Sequence, residues 1–136
     1  EMVHNGLHRL PWRDLDYLFI ENVGNLICPA IYDLGQDANV VALSVTEGED
    51  KPIKYPAMFR KADLVLVTKV DLLKQLPDVS LDLIEHNLSL VMPKPAMLLM
   101  SSRTGVGVDD WIRWLREHGW MRGMARTSAP AADELR

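Results

Sequence analysis

A chain of 136 residues, 48% hydrophobic and 25% charged, has the length and composition of one globular domain with a substantial core. Its formal net charge of -4 leaves no basic footprint for a phosphate backbone, which sets nucleic acid aside, and a single cysteine excludes an internal disulfide framework and fits a reducing cytoplasm. No apolar run approaches the roughly 18 residues of a membrane helix, and residues 1–15 lack the charged and apolar regions of a signal peptide, so no membrane partner is expected.

The first residue is Glu1, and Val3, Leu7 and Leu10 recur at the spacing of an amphipathic helix, so the sequence reads as starting inside a domain. Gly6 weakens that helix and Pro11 ends it. His4 and His8 stand four apart, a metal-ligand spacing that two exposed helix histidines share. Tyr17, Leu18, Phe19 and Ile20 then form an apolar run of strand length, followed at once by Glu21, Asn22, Val23 and Gly24. In nucleotide-hydrolysing α/β domains a carboxylate at the carboxyl end of such a strand stands beside magnesium, and a glycine three residues on lets the backbone approach the γ-phosphate. Glu21 and Gly24 have that spacing. Alone the pattern is weak and is usually that of a strand leaving into a turn. Cys28 follows, either as a small buried hydrophobe or, with Pro29 favouring a loop, as a thiolate within reach of a metal.

Residues 39–46 read as a strand rich in β-branched side chains, residues 47–52 as a polar turn, and residues 53–62 as a helix carrying Tyr55, Met58 and Phe59. The run from Asp63 to Thr68 is apolar enough to be a strand buried on both faces, and it ends in Thr68, Lys69, Val70 and Asp71. A carboxylate at Asp71 can accept two hydrogen bonds from N1 and the exocyclic amino group of guanine, a donor edge that adenine lacks. Lys69 can lay its alkyl stem over the base. Thr68 stands where GTPases usually carry Asn, keeping a small hydrogen-bonding side chain without the amide. A surface turn is the plain alternative, but the upstream Glu21 and Gly24 supply the order a GTPase requires.

Residues 72–76 predict a helical turn closed by Pro77, and Ser80 caps a helix to about Leu90 whose apolar face is Leu81, Ile84, Leu88 and Val91. A fourth strand at 96–100 runs into Ser101, Ser102, Arg103, Thr104 and Gly105, a turn able to offer backbone N–H groups to guanine O6. Asp109 or Asp110 opens the last helix, with Trp111, Ile112, Trp114 and Leu115 as its buried stripe. Periodicity fades from Gly119, giving a domain over 1–118 and a flexible tail over 119–136. Strands separated by helices imply a mostly parallel sheet flanked by helices, with ligands at the carboxyl ends of its strands.

Three runs carry a resemblance: residues 19–30 (Phe-Ile-Glu-Asn-Val-Gly-Asn-Leu-Ile-Cys-Pro-Ala), 44–56 (Ser-Val-Thr-Glu-Gly-Glu-Asp-Lys-Pro-Ile-Lys-Tyr-Pro) and 68–73 (Thr-Lys-Val-Asp-Leu-Leu). In this order they resemble the second half of the HypB family of hydrogenase nickel-incorporation GTPases, within the P-loop NTPase class. The resemblance implies a three-layer α/β fold, GTP with Mg²⁺, Ni²⁺ or Zn²⁺ as the metal, a homodimer, and a hydrogenase large-subunit precursor and other nickel-maturation accessory proteins as partners. It implies that Glu21 and Gly24 lie at the switch, that Thr68, Lys69 and Asp71 form the guanine loop with Ser101 and Ser102 as its second turn, and that Cys28 is a metal ligand. The family's phosphate loop and its Cys-His pair do not occur in residues 1–136, so a fragment of a longer GTPase is expected, inactive by itself. A urease-type nickel GTPase and a non-hydrolysing interaction or dimerisation module are the alternatives.

Overall fold

A computed structural model describes residues 2–11, 14–22 and 34–127. Three parallel strands make the sheet: β1 (Val40–Ser44), β2 (Leu64–Thr68) and β3 (Met97–Met100), in the order β1-β2-β3. Val40 pairs with Leu64 and Ser44 with Thr68 on one side of β2, while Val65 pairs with Met97 and Thr68 with Met100 on the other. The central position of β2 explains its uninterrupted Leu-Val-Leu-Val run, because a strand covered on both faces has no solvent side to mark with polar residues. β1, at the edge, alternates exposed and buried residues instead.

The helices are α1 (Met2–Leu7), α2 (Lys51–Lys54), α3 (Pro56–Arg60), α4 (Leu81–Val91) and α5 (Val108–Thr127), together with a 3-10 helix at Val70–Gln75; of these α3 and α4 pack on the core and α5 contacts β3. The expected helix at 53–62 starts earlier and is broken in two. Pro52 and Pro56 each occupy a first-turn position, where a missing N–H is harmless, but Pro56 cannot continue the preceding helix and Tyr55 leaves helical geometry with ψ 54°. α4 begins where Ser80 accepts a bond from the Leu83 N–H, and its Ile84 and Leu88 are buried, with Leu81 and Val91 packed beside them. Val41, Leu43, Val45, Phe59, Val65, Val67 and Met92 complete the core.

Two expectations need correction. Residues 17–20 form no strand: they have no ladder partner among the described residues, and Phe19 is 67% and Ile20 39% exposed. An apolar run becomes a strand only where another strand satisfies its backbone, so its composition alone was insufficient. On α5, Trp111, Trp114 and Leu115 are half-buried, but Ile112 is exposed, and the helix continues through Gly119 to Thr127. Trp111, Trp114 and His118 stack along it, with ring centroids 5.5 Å and 3.8 Å apart, and Phe19 approaches Trp111 at 6.5 Å.

Candidate guanine site at the carboxyl edge of the sheet

Because all three strands run the same way, their carboxyl ends deliver the segments beginning at Val45, Lys69 and Ser101 to one edge. Thr68 closes β2, and its carbonyl accepts the Val45 N–H at 3.1 Å, fastening the first two segments together. Lys69 follows with φ 60° and ψ 33°, the one non-glycine residue with positive φ among those described. A side chain in this left-handed region costs about 1–2 kcal/mol relative to the ordinary helical region. The turn it makes sends the chain directly into the 3-10 helix, with Asp71 in its first turn. Strain of this kind concentrates at functional positions.

Asp71 is held from across the sheet edge. The Ser101 hydroxyl donates to Oδ1 of Asp71 at 2.7 Å, and Nη1 of Arg103 lies 3.8 Å from Oδ2. Ser101 is fully buried and its oxygen also accepts the Thr104 N–H at 3.2 Å, so the same hydroxyl shapes the 101–105 turn and orients the carboxylate. The Ser101 N–H donates to the Val106 carbonyl at 2.9 Å, and the Gly105 N–H to the Ser101 carbonyl at 2.9 Å. The Ser101 amide is thus already engaged, and its link to Asp71 runs through the hydroxyl. Ser102, next along the exposed turn, forms no backbone bond among the described residues. The Asp71 side chain is 15% exposed, with Oδ1 bonded to Ser101 and Oδ2 facing Arg103.

The turn depends on Gly107. With φ +73°, its missing Cβ would lie 1.8 Å from the Leu99 carbonyl oxygen, so the backbone passes β3 at a distance only glycine allows.

The 45–51 segment, a polar turn by composition, has its own network. Glu47 accepts the Ser44 N–H at 3.0 Å and pairs with Lys51 at 3.1 Å, while Glu49 accepts the Ser80 N–H through its side chain and the Asn87 amide at 2.9 Å through its carbonyl. This ties the exit of β1 to the cap and body of α4. Farther along, Lys54 hydrogen-bonds to Asp50 at 2.7 Å, which lowers the Asp50 pKa and raises that of Lys54.

Thr68, Lys69, Asp71, Ser101 and Ser102 therefore gather at one edge. Glu21 is exposed on a segment without regular structure, and Gly24 and Cys28 lie outside the described residues. Among the described residues no group of three or more His, Cys, Asp or Glu could hold a metal ion, and no helix is long and apolar enough to cross a membrane.

A parallel sheet flanked by helices, with an Asp-bearing loop at the carboxyl end of its central strand, defines an α/β nucleotide-binding domain. The profile of the CobW/HypB/UreG nucleotide-binding domain matches residues 1–94. The chain belongs to this family. It is 48% identical to the hydrogenase maturation factor HypB of Escherichia coli (strain K12) over 118 residues, covering 85% of this chain and 39% of that protein. The crystal structure of the hydrogenase maturation factor HypB from Archaeoglobus fulgidus superposes with a TM-score of 0.77 at 40% identity, over 85% of this chain and 60% of that one. That of HypB from Helicobacter pylori in complex with nickel gives 0.82 at 34% identity, over 89% and 58%. The chain thus spans about two fifths of the length of the E. coli relative.

Proposed function

We propose that this chain is the guanine-recognising part of a GTP-dependent nickel-delivery protein serving [NiFe]-hydrogenase maturation. The observation that carries the reading is the Asp71 carboxylate, oriented by the buried Ser101 hydroxyl at the carboxyl edge of a sheet belonging to this family. Asp71 would accept the N1 and amino protons of guanine, Lys69 would cover one face of the base, Thr68 would support the loop, and the Ser102 amide would face O6. Glu21 and Gly24 are assigned to the switch beside Mg²⁺ and the γ-phosphate, where the bound ion would offset charge on the phosphate oxygens. Cys28 is assigned to the Ni²⁺ or Zn²⁺ cargo, supported by the nickel in the H. pylori relative.

The remaining parts of the proposal are a homodimer, a cytoplasmic location, and a hydrogenase large-subunit precursor with its other maturation factors as partners. The urease-type alternative has less support, since the E. coli and A. fulgidus relatives both carry the hydrogenase-maturation name. The test is nucleotide selectivity. Asp71→Asn replaces one of the two acceptors by a donor, so it should weaken GTP binding by about 1–3 kcal/mol and relax the preference for GTP over xanthosine triphosphate. Equal affinities in wild type and variant, measured by calorimetric titration, would reject the assignment.

A further inference from the structure

We propose that Arg103 competes with the guanine base for the Asp71 carboxylate, so that nucleotide binds by displacing its guanidinium. The inference rests on the guanine reading of Asp71. The two carboxylate oxygens stand differently: Oδ1 accepts the Ser101 hydroxyl at 2.7 Å, whereas Oδ2 faces Nη1 of Arg103 at 3.8 Å. A guanidinium is planar and presents adjacent N–H donors along one edge, as guanine does with N1 and its amino group. Both therefore draw on Oδ2, and a guanidinium standing before that oxygen occupies the side from which the base would approach.

The burial of the partners assigns their parts. The Asp71 side chain is 15% exposed and held by a buried hydroxyl, while that of Arg103 is 83% exposed. The acceptor is fixed and the competitor is free to swing. Its backbone is anchored on both sides, by the Ser101 N–H on the Val106 carbonyl and by the Thr104 N–H on the Ser101 hydroxyl, so the guanidinium stays within reach of Asp71 wherever it swings. At 3.8 Å the contact is an ion pair rather than a hydrogen bond, and with one partner in solvent it is weak and sensitive to salt. Such a competitor tunes affinity by a small factor without abolishing binding.

The experiment is titration of the full chain with mant-GDP, whose label leaves the base unmodified, using wild type, Arg103→Ala and Arg103→Lys. Arg103→Ala should bind about two- to fivefold more tightly at low salt, with Arg103→Lys between it and wild type. The advantage should vanish as ionic strength rises from about 0.01 M to about 1 M. Unchanged or weaker binding by Arg103→Ala at low salt overturns the proposal, weaker binding making Arg103 a second clamp on the base. Asp71→Asn separates this failure from that of the base site. If Asp71→Asn loses affinity while Arg103→Ala gains none, the base site stands and the competition alone is rejected. If Asp71→Asn binds as wild type does, both fall together.

Discussion

Asp71 and Ser101 are thirty positions apart in the chain and meet through a single hydrogen bond, with Lys69 two residues before the carboxylate in a left-handed backbone conformation. The Lys-x-Asp spacing after an apolar strand was legible in the sequence because side-chain chemistry alone proposes it. Two features were not. Nothing in a lysine codes for positive φ, and the direction of the Ser101 hydroxyl depends on how β2 and β3 are registered. The conformation of Lys69 sets stability against function. Lys69→Gly should relieve about 1–2 kcal/mol of backbone cost. Against this, glycine gives the unfolded chain more freedom, worth about 0.4–1 kcal/mol, leaving a net gain between about 0 and about 1.6 kcal/mol in urea denaturation. GTP affinity should fall in the same protein, since the alkyl stem proposed to cover the base is gone. A variant that is both more stable and equally tight would show that Lys69 does not cover guanine.

At the scale of elements, a segment's fate follows from whether its neighbours are present to complete it. α4 was readable in full, from the Ser80 cap to the Ile84 and Leu88 face, because capping and periodicity are local. Residues 17–20 show the limit, because strand formation is not local: the same apolar composition without a paired edge leaves an exposed segment without regular structure. The 101–107 turn lies between these cases. Its Gly105 and Gly107 both have positive φ, but only Gly107 abuts the backbone of β3; Gly105 has open space where a Cβ would stand. Gly105→Ala should therefore cost about 1–2 kcal/mol, the left-handed penalty alone. Gly107→Ala should exceed it clearly, at about 3 kcal/mol or more, because the Leu99 carbonyl cannot yield without moving β3. Guanidinium denaturation of the two variants side by side checks the ranking, and equal losses would mean that the turn shifts freely against the strand.

Across the whole molecule, the core and the proposed recognition site occupy different parts of one sheet. The buried cluster joins β1 and β2 to α3 and α4, whereas Thr68, Lys69, Asp71, Ser101 and Ser102 lie at or beyond the strands' carboxyl ends. Leu88, 1% exposed within that cluster, is a test of the separation. Leu88→Ala should cost about 2–5 kcal/mol through lost burial and a residual cavity, a large share of the about 5–15 kcal/mol typical of a domain. The melting temperature should drop accordingly. The preference for GTP over xanthosine triphosphate should not change, because it is a ratio of affinities among molecules that remain folded, and Asp71 stays oriented by Ser101 rather than by the core. Measurement of both affinities well below the variant's melting temperature decides the matter. A selectivity that declines with stability would show that the 3-10 helix, whose Val70, Leu72 and Leu73 rest on the cluster, passes core disorder to Asp71, and that packing as well as the hydroxyl fixes the base-reading carboxylate.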